Sequence, residues 1–462
     1  MLISPAVELK LFGQFIAAIS LFHFVYSWYK SCFKQGIKLD YWHFTLLVTL
    51  VFPSFVLYPF TWSWRNHHYV GWHFLYFRDY IPEAFFVTAC GYWAIQLGAI
   101  ITPWVEQMHK VNQWGAEAII CMGKSRLMVV FSVLCVMAAW AVASVIFYHE
   151  GLNFNLRYYA LGSYQELRPI FNLLYVSLIP MLAALMLYRA IDQRSLFIFV
   201  LAGVLFLTLI ISGQRVGLLF PAALLIVFCC IRYPALPYSR LLMGGGLLGG
   251  VMVGWEGLRE GGSPLASLTR FADRIIYGNN FSDLRDFAWI LSKWDGALWH
   301  GKTYVAALMA FIPRSLSPFR QEWSLSVVTN QIIDFPQIHA GMRPGLFGES
   351  FMNFGLLGVV LFGLLYGGVL RAVDNDIRQV AQKPQGAFAA MYASSFMAMV
   401  ASCCLITANA WFAWILLAIV VGYKIFRTLY NGVAQKIIKS SKKNLTSSRK
   451  LAVGDVTVRK AA

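Results

Sequence analysis

Apolar residues gather into long runs broken by short polar stretches, and the runs recur from one end of the chain to the other. Eleven read as membrane-crossing helices: Leu11–Phe33, Tyr41–Phe60, Ile81–Val105, Leu127–Tyr148, Ile170–Leu187, Leu196–Ser212, Val216–Ile231, Leu241–Trp255, Leu346–Leu370, Gly386–Thr407 and Trp411–Phe426. A crossing needs roughly 20 mostly apolar residues, because the hydrocarbon core is about 30 Å thick and a helix rises 1.5 Å per residue. The pattern predicts an all-α polytopic membrane protein with about eleven transmembrane helices. Residues 1–255 hold eight of them, 256–346 form one long loop, 347–427 hold three more, and 428–462 form a basic tail. Within the long loop, Leu268 to Leu291 carries Phe271, Ile275, Ile276, Phe287 and Ile290 at helical spacing, which predicts helices lying over the membrane mouth. The glycine runs Gly244–Gly246 and Gly249–Gly250 predict close helix packing in the eighth span.

Composition strengthens the membrane reading. Of 462 residues, 59% are hydrophobic and only 13% charged, too few to clothe a soluble domain. The net charge of +17 does not point to nucleic acid, because the basic residues are scattered among short loops and the tail. Lys30, Lys34 and Lys38, then Lys110, Lys124 and Arg126, Arg189 and Arg194, Arg232 and Arg240, Arg371 and Arg378 fall in alternate loops. Short basic loops stay in the cytoplasm, so the long loop is expected to face outward and the tail inward. No basic n-region precedes the first apolar run, so that helix is expected to remain. The eight cysteines lie in apolar runs or cytoplasmic loops, where packing is their expected role.

Arginine on the outer side runs against this charge bias, and a two-pronged guanidinium matches phosphate oxygens. Arg215 stands in the tight turn Ser212-Gly213-Gln214-Arg215, and Arg259, Arg314, Arg320 and Arg343 stand in the long loop. An anionic ligand at that face accounts for them; so do headgroup contacts, or ion pairs with Glu256, Glu260, Asp273, Asp283 and Asp286. Where the long loop re-enters the membrane, His339 to Gly355 brings together His339, Arg343 and Glu349. Glu349 reads either as a general base or as an acid facing the positive end of a helix dipole. His339 reads as a second proton-handling group or as an ordinary loop residue. Gly348 is expected to let substrate approach the backbone. No phosphate loop and no metal-ligand spacing is present, so neither metal nor cofactor is expected.

Ser212-Gly213-Gln214-Arg215, Phe311-Ile312-Pro313-Arg314-Ser315-Leu316 and Gly348-Glu349-Ser350-Phe351-Met352-Asn353-Phe354-Gly355-Leu356-Leu357-Gly358 occur in that order across the second half of the chain. In these motifs the chain resembles the O-antigen polymerase (Wzy) family. The resemblance implies a GT-C-like fold and an inverting, metal-independent glycosyltransferase. It implies undecaprenyl-pyrophosphate-linked oligosaccharides as partners, a bilayer around the protein and a chain-length regulator beside it. Glu349 and His339 would then be catalytic, and Arg215, Arg314, Arg343, Arg320 and Arg259 would bind pyrophosphate. An O-antigen ligase passing the glycan to lipid A core shares these features, and a transporter of lipid-linked sugars is the alternative outside enzymes.

Overall fold

The computed structural model describes residues 5–34, 36–57, 78–151, 156–161, 163–213, 216–260, 263, 265–270, 282–309, 312, 316–333, 342–382, 387–406, 413–429 and 432, and every regular element among them is helical. The main helices are α1 (Pro5–Trp28), α2 (Tyr41–Leu57), α3 (Ile81–Ile100), α4 (Thr102–Lys124), α5 (Arg126–Glu150), α6 (Ile179–Gln193), α7 (Leu196–Ser212), α8 (Val216–Arg232) and α9 (Tyr238–Glu260). After them come four short helices, α10 (Asp283–Lys293), α11 (Lys302–Leu308), α12 (Pro318–Trp323) and α13 (Leu325–Ile333), then α14 (Gly345–Ala381) and α15 (Ala387–Ile406). The chain divides into Met1–Leu416 and Leu417–Ala462; of the second unit, 417–429 is helical.

Among the described residues, α3, α5 and α14 are long and apolar enough to cross a membrane, and shorter apolar helices include Tyr41–Leu57, Leu196–Ser212 and Ala390–Cys404. Large apolar side chains stand on the outside of the helices, among them Phe22 on α1, Leu127 and Tyr148 on α5, Leu196 on α7 and Leu242 on α9. In α5 only 33% of the apolar window is buried inside the protein. A water-soluble surface rarely carries so much contiguous apolar area, so these faces suit hydrocarbon.

The centre of the first unit is the packing of α3 against α14. Gly91 faces the ring of Phe347, Gly98 the backbone of Leu364, Gly363 the side chain of Ala94 and Gly367 the backbone of Ile95. Small residues on both helices bring the backbones together, which supplies dispersion contact where lipid removes the hydrophobic incentive to associate. Gly244–Gly246 and Gly249–Gly250 do not do this: among the described residues nothing lies within 4 Å of the position a side chain would take. The expected close packing in the eighth span is therefore corrected, and it belongs to α3 and α14. Gly98→Val is expected to destabilise the protein by about 1–3 kcal/mol through overpacking. Gly245→Ala, in open space on a helix, should cost nothing and gain slightly from helix propensity. Thermal unfolding in detergent separates the two, and equal melting temperatures would count against the α3–α14 contact as the core.

Two other expectations change. The stretch after the third span, read as a cytoplasmic loop with Lys110 and Lys124, is the helix α4. Its buried residues Val105, Asn112, Ala116 and Ile119 recur every three, four or seven positions, so one face packs inward while Glu106, Lys110, Glu117 and Lys124 occupy the others. Average hydropathy hides such a helix. The ninth span, Leu346–Leu370, is not continuous: α14 breaks at Gly355 (φ 65°, ψ −158°) and runs on to Ala381. Only glycine adopts that backbone conformation without strain.

Candidate functional site

The break at Gly355 organises the N-terminal end of α14. A break takes intrahelical donors away from the carbonyls just before it. Trp299 N–H donates to the Met352 carbonyl and His300 N–H to that of Asn353, each at 3.0 Å, so the loop before α11 caps the first segment. This places Thr303, at the start of α11, against Glu349.

Glu349 is fully buried, and its Oε1 accepts a hydrogen bond from Thr303 Oγ1 at 2.8 Å. Asn353 Nδ2 donates to Thr303 Oγ1 at 2.8 Å and to the Glu349 carbonyl at 2.9 Å. Because the Asn353 amide donates to the threonine oxygen, the single hydroxyl proton is directed at the carboxylate. Asn353 Oδ1 and the Tyr304 hydroxyl are enclosed without a hydrogen-bond partner among the described residues. Burial, with the Glu349 carboxylate nearby, pushes the Tyr304 phenol well above its ordinary pKa. The Tyr304 ring clusters with those of Phe354 and Phe362, with centroids 6.2 and 5.1 Å away and those two rings 6.2 Å from each other.

Glu349 stands one turn into α14, which starts at Gly345 with no acid in its first turn. Dipole stabilisation fades beyond the first turn, so that explanation of Glu349 is overturned. The expected opening at Gly348 is also corrected: a side chain there would strike Phe287 of α10 and Pro344, each 2.7 Å from its first atom. Glycine at this position lets α10 pack on α14.

Arg343 pairs with Asp283 at 3.8 Å, one of the ion pairs expected to account for loop arginines. The Asp283 side chain is 43% exposed, yet its Oδ1 is enclosed; burial raises its pKa to about 6, against the opposing pull of Arg343. Asp286 is held by Arg285 at 2.9 Å and Ser282 at 3.0 Å, an internal pair inside α10. Arg320 donates to the Ile312 carbonyl, and burial lowers its pKa. Arg259 lies on the last turn of α9, where the structure describes backbone only. Arg215, Arg314 and His339 lie outside the described residues, as do Phe271, Ile275 and Ile276.

A second polar cluster, unforeseen from sequence, closes the other end of α14. Arg378 Nη2 lies 2.7 Å from Asp40 Oδ2, and its Nε lies 2.9 Å from Asp374 Oδ2; both carboxylates are fully buried. Asp40 also caps α2, accepting from His43 N–H at 2.7 Å and from its ring at 2.8 Å. Asp376 meets His109 at 2.6 Å and Asn112 at 3.2 Å, both from α4. Cys32, Asp40 and His43 stand close enough to share a cation, but Arg378 already supplies the positive charge at Asp40. From Glu349 to Asp374 is at most roughly 37 Å along the helix, at 1.5 Å per residue. That upper bound is on the order of the thickness of one hydrocarbon core, about 30 Å.

Fold and site define an all-helical protein with apolar spans and a buried polar cluster at each end of one broken helix. No protein-family model, curated protein or solved structure matches the chain.

Proposed function

We propose that the chain is a polytopic inner-membrane enzyme of about eleven spans that polymerises lipid-linked oligosaccharide repeat units. The observation carrying this reading is the buried Glu349–Thr303–Asn353 constellation, held at the break of a long apolar helix by the loop that precedes α11. The Thr303 hydroxyl fixes one oxygen of a water-poor carboxylate, which holds the group in place as a proton acceptor. Asn353 Oδ1 and Tyr304, enclosed beside it, suit a substrate hydroxyl.

In the reaction, the terminal sugar hydroxyl of a new unit gives its proton to Glu349 and attacks the anomeric carbon of the growing chain. The carbon–oxygen bond to undecaprenyl pyrophosphate breaks with inversion, and the pyrophosphate leaves with the bonding electrons. Arg215, Arg314, Arg343, Arg320 and Arg259 are proposed to meet the leaving charge, and His339 to assist proton transfer. Glu349 is closed from water, so the outer helices must part to admit substrate. A carboxylate base and arginine partners need no metal for this step.

Purified protein given lipid-linked repeat units is expected to yield a ladder of polymer. Transfer to a lipid A core acceptor instead would favour the ligase, and neither product would reject the enzyme. Leu316→Cys in a cysteine-free background should be labelled only from the periplasm and Lys450→Cys only from the cytoplasm; the reverse pattern would overturn the orientation.

A further inference from the structure

Beside the Glu349 constellation, α10 to α13 enclose a cleft of about 550 Å³ that the proposed chemistry does not use. Pockets for small organic ligands run roughly from 300 to 1,000 Å³. Its lining is unlike a phosphate site. Lys293 and Lys302 are balanced by Asp295 and Glu322, so it holds no net positive field for a pyrophosphate. It is also unlike a lipid groove, since four charged residues share the lining with Trp294, Trp299 and Trp323.

Flat aromatic faces together with mixed donors and acceptors match one ligand chemistry well. A sugar ring presents an apolar C–H face that lies against an indole, and a rim of hydroxyls that each donate and accept. Lys302 and Lys293 donate, Asp295 and Glu322 accept, and Gln331 does both. Lys302 Nζ already sits 4.0 Å from the Trp323 ring centroid, which fixes that ring and leaves the ammonium at the cleft wall.

The cleft is joined to Glu349 by covalent neighbours. Lys302 lines it while Thr303, the next residue, bonds the carboxylate. Trp299 lines it while its N–H caps the Met352 carbonyl before the break. We propose that this cleft is an oligosaccharide-binding subsite that holds the sugar portion of a substrate next to Glu349. The inference rests on the polymerase reading only for which glycan it binds.

The test uses purified full-length protein in nanodiscs and, as probe, lipid-free fragments of one or a few repeat units cut from the host's own surface polysaccharide. Binding is followed by saturation-transfer NMR and calorimetry. Trp323→Ala, at a half-exposed ring on a short outer helix, should weaken binding about tenfold, which corresponds to ~1.4 kcal/mol. Ala297→Trp fills the cleft from its exposed rim without touching the core and should abolish binding, so the test survives if Trp323→Ala fails to fold. Wild-type protein that makes polymer but binds no fragment, or binds it equally well in both variants, overturns the subsite and leaves the enzyme reading intact. Cleft-dependent binding in a protein that makes no polymer upholds the subsite and overturns the polymerase.

Discussion

Glu349→Gln is expected to lower polymerisation by roughly 10²–10⁴-fold, the usual loss when a general base is removed. Glutamine keeps the size of the side chain, and its amide oxygen still accepts from Thr303, so the protein should be recovered in normal amount. Only the capacity to take a proton is removed. Thr303→Val tests the same site through its neighbour. Threonine is a positioning residue here; its loss frees the carboxylate from the Asn353–Thr303 chain, and the rate should fall less than in Glu349→Gln. The pH profile should also shift, because the hydrogen bond to the charged form of the carboxylate is gone. A purely structural threonine would lower the amount of folded protein and leave the profile unmoved. Normal polymer length in Glu349→Gln with a dead His339→Ala would hand the base role to His339.

Arg378→Met should be the most destabilising single change at the C-terminal end of α14. It leaves the fully buried carboxylates of Asp40 and Asp374 without their shared cation. Breaking a buried ion pair by removing one partner costs about 3–5 kcal/mol, a large part of the stability of an ordinary domain. The expected readout is a collapse of the monodisperse peak in detergent size-exclusion and a strongly lowered melting temperature. Asp374→Asn in the same chain should recover part of the loss by removing one of the two buried charges, which Arg371, 3.5 Å away, offsets only in part. Asp40→Asn is the informative companion, since asparagine still caps α2 through His43 N–H. Melting of Arg378→Met close to wild type would mean that water reaches these carboxylates and that the network contributes little.

The sequence by itself determined the helical class and the succession of apolar runs, and it singled out Glu349 as an acid out of place. Those follow from properties that a single run displays: enough apolar residues in a row, or a charge where the local pattern does not want one. The amphipathic α4 needed periodicity rather than average hydropathy, and its spacing was present to be read. A pair such as Asp374 and Arg378, four apart on one helix, was also legible as a local ion pair. That Asp40 joins them from the far side of the chain was not, because nothing in residues 30 to 45 marks that carboxylate as buried.

Only the tertiary structure decided which glycines pack and which face open space, since Gly98 and Gly245 both stand inside helices and their roles depend on what stands opposite them. Only it showed that Gly348 is filled by Phe287 and that α14 breaks at Gly355, where donors from Trp299 and His300, more than fifty positions earlier, complete the hydrogen bonding. Thr303 and Asn353 became partners of Glu349 for the same reason. A side chain's chemistry is written in the sequence, but its role depends on the groups brought within about 3 Å of it, and hydrogen bonds of that length are set by packing between distant segments.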